Sequence, residues 1–261
     1  MHDRGRPDRL RRLGPGLNSL RAAWRLVRAL VHAVGGLATI LLRFPRLNER
    51  QREARVQAWA LEMLALLGIH LELRGRPPVA GPVLLVANHI SWLDILVMHA
   101  ARHCRFVSKA DVRRWPLIGA LASGAGTLYI ERASRRDAMR VVHHMAESLK
   151  RGEVVAVFPE GTTSNGLALL PFHANLIQAA ISAGAPVQPV ALSFLDTESR
   201  VTSLAPCYVD DDTLVASVWR TLTAPAVTAV VHYGEPQPAR GRDRRAWARD
   251  LRSAVDALRQ I

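Results

Sequence analysis

The chain has 261 residues, 49% of them hydrophobic and 22% charged, enough for one large domain or for one domain with an appendage. Its two cysteines, Cys104 and Cys207, stand far apart without metal-ligand spacing, which excludes a disulfide framework and reads as a reducing compartment. The formal net charge is +13, and residues 1–55 hold thirteen arginines against Asp3, Asp8, Glu49 and Glu53, a net +9, so the basic character belongs mainly to the N-terminal region.

Such a region seeks a polyanion, either nucleic acid or an anionic membrane surface, where each basic side chain is worth ~1 kcal/mol. Residues 1–17, rich in Arg, Gly and Pro, read as a disordered basic tail. No secretory signal is recognisable. Residues 18–68 read as two membrane-interfacial helices. In the first, the apolar run Ala29–Leu42 has fourteen residues and contains His32, Gly35 and Gly36, short of the ~20 that span a bilayer. Segment 18–44 nevertheless combines Trp24, Leu26, Leu30, Val31 and Leu37 with arginines able to snorkel to headgroups. A helix lying in the interface is the favoured reading; a true span lengthened by snorkelling and a buried helix of a soluble fold stay open. In the second, Val56, Trp59, Ala60, Met63, Leu64 and Leu67 recur at helical spacing, and Gly68 stops the helix.

Residues 69–261 form the main domain. A short strand at 70–74 leads to a Gly-Arg-Pro-Pro turn, and apolar runs follow at 83–87, 127–130, 154–158, 187–192 and 227–232, with a weaker one at 105–108. Helical segments lie between and after them, near 91–102, 116–123, 134–150, 172–183, 211–222 and 242–259. The helix over 134–150 opens on the capping box Ser134-x-x-Asp137 and closes before Gly152. Strands alternating with helices predict an α/β fold with a largely parallel sheet flanked by helices.

Several common sites are absent. Ser123 lacks the first glycine of a G-x-S-x-G elbow, and no phosphate-binding glycine loop and no H-E-x-x-H occurs. His143 and His144 are adjacent in a helix and point in different directions, which argues against a shared metal. Two strand-end stretches remain. N-H-I-S-W-L-D, Asn88 to Asp94, follows the run 83–87 and puts a histidine in the strand-to-helix turn with a carboxylate in the first helical turn. Asp94 can fix the tautomer of His89 and stabilise its cation. Ser91-x-x-Asp94 is equally a capping box, so chemistry and helix capping both stay open here. F-P-E-G-T-T-S-N-G, Phe158 to Gly166, makes a sharp turn at another strand end, where ligands gather in open α/β sheets. Its backbone N–H groups can face an anion or oxyanion, or the segment can be a polar connection only.

N-H-I-S-W-L-D resembles the N-H-x-x-x-x-D motif of the glycerolipid acyltransferases, typified by 1-acyl-glycerol-3-phosphate acyltransferase, and F-P-E-G-T-T-S resembles that family's F-P-E-G-T-R-S block. G-T-L-Y-I-E-R, Gly126 to Arg132, and V-Q-P-V-A-L, Val187 to Leu192, are similar to two further blocks, and Ser108-Lys109 and W-P-L-I-G, Trp115 to Gly119, to the linking segment. The match runs over roughly 80–195 in the family's order. It implies a glycerol-3-phosphate acyltransferase-like catalytic domain over 69–261 that moves a fatty acyl group from acyl-CoA or acyl carrier protein to a lipid hydroxyl. It also implies an anionic membrane surface as partner and no metal or other cofactor; with the reducing compartment, the expected location is the cytoplasmic face of the inner (plasma) membrane. His89 would be the general base and Asp94 its orienter, with direct attack, since no serine or cysteine stands as a covalent nucleophile. Arg132 and the turn of Glu160, Gly161, Thr162 and Thr163 would hold the acceptor head group, and amides near Gly161 the oxyanion.

The family's arginine after Gly-Thr is Thr163 here, and its later P-F-K-x-G pattern reads P-F-H-A-N, Pro171 to Asn175. A hydroxyl in place of a guanidinium weakens a phosphate-monoester site, unless Lys109 or Arg132 compensates. The favoured acceptor is 1-acyl-sn-glycerol-3-phosphate, giving phosphatidic acid. The alternative is another lysolipid, because F-P-E-G-T-T-S also resembles the variant in acyltransferases that complete ornithine lipids. A nucleic-acid-binding module fits poorly, with charge gathered at the N-terminal region and only 5% aromatic residues. A non-catalytic membrane scaffold fits poorly too, since His89, Asp94 and Glu160 are all retained.

Overall fold

The computed structural model describes residues 15–130 and 135–260. Two helices come first, α1 (Pro15–Leu42) and α2 (Glu49–Leu67). The α/β domain follows as β1 (Ile69–Arg74), β2 (Val83–Ala87), α3 (Leu93–Ala101), β3 (Arg105–Lys109), α4 (Ile118–Gly124), β4 (Leu128–Ile130), α5 (Arg135–Lys150), β5 (Val154–Val157), α6 (Gln178–Ala183), β6 (Val187–Asp196), α7 (Leu214–Thr223), β7 (Val227–Tyr233) and α8 (Arg244–Arg259). Ser134, which opens the expected capping box, lies outside the described residues, as do residues 1–14 of the expected tail; α1 already begins at Pro15.

The strands form one sheet in the order β1-β7-β6-β2-β5-β3-β4, with every neighbouring pair parallel except β6 and β7. The largely parallel α/β sheet read from the sequence is thus the observed fold. β2 lies between β5 and β6, and all five of its residues are buried, which explains its unbroken apolar run. One face of the sheet packs against α1, α2, α3, α4 and α7 around Leu64, Leu93, Met98, Phe106 and Leu222. The other packs against α5, α6 and α8 around Met145, Leu149, Ile177 and Trp247.

Local chemistry sets most boundaries. Asn48 Oδ1 accepts the Gln51 N–H and Gln51 Oε1 accepts the Asn48 N–H, both at 3.0 Å, a reciprocal start for α2. Gly68 ends α2 with φ +77°. One expectation differs: the helix expected over 172–183 begins only at Gln178. The His173 N–H donates to Pro159 O at 2.8 Å, and this tie to the end of β5 holds the preceding residues in turns.

α1 docks through a stripe of small residues, Ala22, Ala29, Ala33 and Gly36. A Cβ at Gly36 would come within 2.6 Å of the Trp59 indole nitrogen, so only glycine lets α2 approach there. The opposite side exposes Leu20, Trp24, Val27, Leu30, Val31, Val34 and Leu41. α1 is long and apolar enough to cross a membrane, and 11% of its most apolar window is buried. That share separates it from the core helix of a soluble protein. It also touches α2, α4 and α7 along the domain.

Candidate active site at the carboxyl ends of β2 and β5

Asn88 closes β2 with its side chain. Its Nδ2 donates to Leu192 O at 3.0 Å and its Oδ1 accepts the Leu192 N–H at 2.7 Å, so an amide side chain continues the β2–β6 ladder beyond the last strand residue. The chain then turns at His89 and enters α3.

Asp94, fully buried in the first turn of α3, faces back across that turn. Its Oδ2 accepts from His89 Nδ1 at 2.8 Å, from the Ile90 N–H at 2.6 Å and from the Ser91 N–H at 2.9 Å. The two readings of the motif therefore meet in one oxygen, which caps the turn and holds the imidazole. With Nδ1–H donating to Asp94, the neutral ring keeps its lone pair on Nε2. The other oxygen, Oδ1, is buried without a hydrogen-bond partner among the described residues. The Ser91 hydroxyl, expected in a capping box, instead donates to Pro206 O and accepts the Leu93 N–H.

The imidazole lies on the ring of Phe158, with centroids 4.0 Å apart and planes 5° from parallel. Phe106 on β3 stacks with Phe158 at 5.6 Å. The backbone around His89 is fully engaged. Its N–H donates to Glu160 Oε1 at 2.8 Å, its carbonyl accepts the Ser164 N–H at 3.0 Å, and the Ile90 carbonyl accepts the Tyr208 N–H at 3.1 Å. The histidine is thus fixed in position by its turn and in orientation by a carboxylate and an aromatic face.

The second stretch departs from its sequence reading. Glu160 is buried, and its two oxygens accept the His89 and Leu170 amides at 2.8 and 2.9 Å. Burial raises its pKa, while the two amides and the nearby His89 and Arg259 oppose that rise. Its carboxylate is a clamp between the two motifs, not an open ligand for a head group. Gly161 turns the chain at φ +74°, but its amide donates to Phe158 O at 3.1 Å and is not available to an oxyanion. The Thr163 hydroxyl donates to Tyr208 O. Thr162 is exposed, and so is Lys109 at the end of β3, two strands from β2. Arg132 lies outside the described residues.

A cleft of about 330 Å³ lies beside this turn, lined by Ile90, Gly166, Ser193 and Cys207 with Arg74, Arg200 and Arg259. His89 does not line it. Sequence reasoning missed Asn88, Phe158 and Leu170 as parts of the site, though Phe158 stood in the quoted motif as the last residue of a strand.

Residues 69–193 match the family model described as Acyltransferase. Among curated proteins, the lyso-ornithine lipid O-acyltransferase of Pseudomonas aeruginosa is 39% identical over 204 residues, 78% of each chain. The 1-acyl-sn-glycerol-3-phosphate acyltransferase of Neisseria gonorrhoeae is 41% identical over 70% of this chain and 72% of its own. The solved structure of the 1-acyl-sn-glycerophosphate acyltransferase of Thermotoga maritima superposes with a TM-score of 0.68 at 21% identity, covering 93% of this chain and 96% of that one, and shares the fold. At 39–41% identity over more than two thirds of each of the first two relatives, the likeness is one of descent, and the chain belongs to the acyltransferase family.

Proposed function

We propose that the protein esterifies the free hydroxyl of a lysolipid with a fatty acyl group from acyl-CoA or acyl carrier protein, with His89 as general base. The observation that carries this reading is the 2.8 Å bond between His89 Nδ1 and Asp94 Oδ2, which leaves the lone pair of Nε2 to a substrate at the carboxyl end of β2. The acceptor hydroxyl oxygen attacks the thioester carbonyl carbon while Nε2 takes its proton. Asp94 stabilises the imidazolium so formed. The tetrahedral intermediate collapses, the C–S bond breaks, and the proton on Nε2 passes to the departing sulfur. Proton and charge balance within the histidine and the two substrates.

With its carboxylate engaged on both oxygens, Glu160 acts as a positioning residue. Lys109, Arg132, Thr162 and the Gly161 turn remain the proposed acceptor contacts. The exposed side of α1 supports a peripheral seat on an anionic bilayer, since contacts with α2, α4 and α7 keep the helix against the domain. On the cytoplasmic face, this seat would give access to cytosolic acyl donors.

The first reading of the acceptor is 1-acyl-sn-glycerol-3-phosphate, the substrate in the name of the Neisseria relative. A lyso-ornithine lipid is the second, favoured by one feature: Thr163 carries no charge, and its hydroxyl is already committed to Tyr208 O. The deciding experiment is acyl transfer by the purified protein in detergent, with labelled acyl-CoA and acyl carrier protein donors, each acceptor in turn, and His89→Ala as control. Transfer to neither acceptor, or full transfer by the variant, overturns the proposal.

A further inference from the structure

A second groove lies on the opposite face of the sheet from α1, between α8 and the segment after Leu170. It measures about 440 Å³ and is floored by Pro171, Phe172, Ala174 and Ala248, with Arg245, Arg249 and Arg252 along one side. These arginines recur at four- and three-residue spacing, so they form a ridge over about two turns of helix, roughly 10 Å long.

Their charges are not equally available. In the cleft beside Ile90, Arg74 and Arg200 share Glu72, and Arg259 pairs with Asp256 at 3.0 Å. On α8, Arg242 pairs with Asp250 at 2.9 Å. The Arg245 and Arg249 side chains are exposed and make no ion pair among the described residues. Arg252 donates to Leu169 O and Leu170 O, the latter at 3.1 Å. Leu170 in turn donates its N–H to Glu160, which accepts the His89 N–H. The groove is therefore joined to the proposed base through one short segment.

We infer that this groove docks the acidic, helical surface of an acyl carrier protein, which presents its thioester to His89 past the 169–173 segment; the inference rests on the acyl-transfer reading above. Three observations choose a protein over a nucleotide carrier or a lipid. Arg245 and Arg249, exposed and drawn only toward Asp243 at the helix start, stand about one helical turn apart on α8, with Arg252 about one turn further on, a spacing along the helix axis that suits an acidic helix. The helix N-terminus that could bind a phosphate is already filled, because Asp243 Oδ1 accepts the Arg245 and Ala246 N–H groups at 2.7 and 3.1 Å. The groove also faces away from the apolar side of α1, hence toward water when α1 rests on a membrane.

The test compares wild type with Arg245→Glu/Arg249→Glu, using acyl carrier protein and acyl-CoA donors of one chain length, with direct binding of fluorescent carrier protein by anisotropy. The double variant is expected to raise KM for the carrier-protein donor at least tenfold relative to acyl-CoA, at similar kcat. It should also flatten the loss of carrier binding with added salt. Equal losses with both donors, no change with either, or no use of the carrier protein by a wild type active on acyl-CoA would each overturn the inference. A wild type inactive with both donors would overturn the acyl-transfer reading, and the anisotropy measurement would then decide the groove by itself.

Discussion

Glu160 and His89 are joined through the backbone: the Glu160 carboxylate accepts the His89 N–H at 2.8 Å, while its second oxygen accepts the Leu170 N–H. A side chain on the β5 turn thus fixes where the β2 turn presents its imidazole. Glu160→Gln keeps one acceptor and sets an amide N–H₂ against the other backbone N–H. It should cost about 1–3 kcal/mol of stability and, by shifting His89, lower kcat about a hundredfold. The acceptor KM should stay within about threefold. A large rise in that KM with kcat intact would mean that Glu160 meets the head group after all, and steady-state kinetics separates the two.

The same residue predicts a pH dependence. Burial raises the folded-state pKa of Glu160 above its ordinary 4.5, so the folded state holds the proton more tightly than the unfolded chain. Its contribution to stability is therefore greatest below 4.5 and is lost as pH rises through the raised folded value. Denaturant melts across this window should show a falling component in wild type that Glu160→Gln lacks.

His89→Ala removes the proposed base and should lower kcat by about 10²–10⁴-fold. Melting temperature should fall only modestly, because Asp94 loses its imidazole partner and Phe158 its stack, while the turn keeps its N–H bonds to the Glu160 and Asp94 carboxylates. Asp94→Asn should cost both rate and stability. It replaces the charge that holds Nδ1–H and puts two N–H donors where the buried Oδ1 already lacks a partner. Equal activity of Asp94→Asn and wild type would reduce Asp94 to a helix cap.

Phe158→Leu keeps an apolar strand end and removes the ring stacked on His89. Such a stack is worth about 0.5–1.5 kcal/mol, so kcat should fall about tenfold, with Phe158→Tyr restoring most of it. A loss of stability without a loss of rate would make Phe158 a packing residue alone.

These residues also mark how far the sequence could be read. β2 was legible to the residue, because a strand buried on both faces leaves an unbroken apolar run with turn chemistry after it. His89 and Asp94 were legible because both partners lie within one turn. Glu160 was visible as a residue but not as a clamp, since its amide partner His89 is 71 positions away. Asn88 pairs with Leu192 across 104 positions, and no local pattern announces that contact. The late start of α6 has the same cause: a bond from His173 to Pro159 overrides a helical pattern that is sound by itself.

Trp24, Val31 and Val34 lie on the exposed side of α1. Changing all three to Asp removes side chains each worth roughly 1.5–3 kcal/mol when buried in apolar surroundings and adds repulsion from anionic lipid. Flotation with anionic vesicles should show binding reduced more than a hundredfold, while the circular dichroism spectrum stays that of wild type. Unchanged flotation would remove α1 as the membrane-seating element.

Thr163→Arg tests the acceptor directly. The substitution breaks the hydroxyl bond to Tyr208 O, at a cost of about 1 kcal/mol, and brings a guanidinium to the turn beside the proposed head-group site. A guanidinium forms two parallel hydrogen bonds with a phosphate monoester and with a carboxylate alike, but the monoester carries up to two negative charges, whereas the ammonium of a zwitterionic aminolipid repels the added cation. The ratio of kcat/KM for 1-acyl-sn-glycerol-3-phosphate to that for lyso-ornithine lipid should therefore rise about tenfold. Using the ratio cancels any general loss from the broken Tyr208 bond, because both acceptors meet the same altered turn. A ratio unchanged within twofold would place the head group away from position 163 and leave Thr163 as a bridge between the β5 turn and Tyr208.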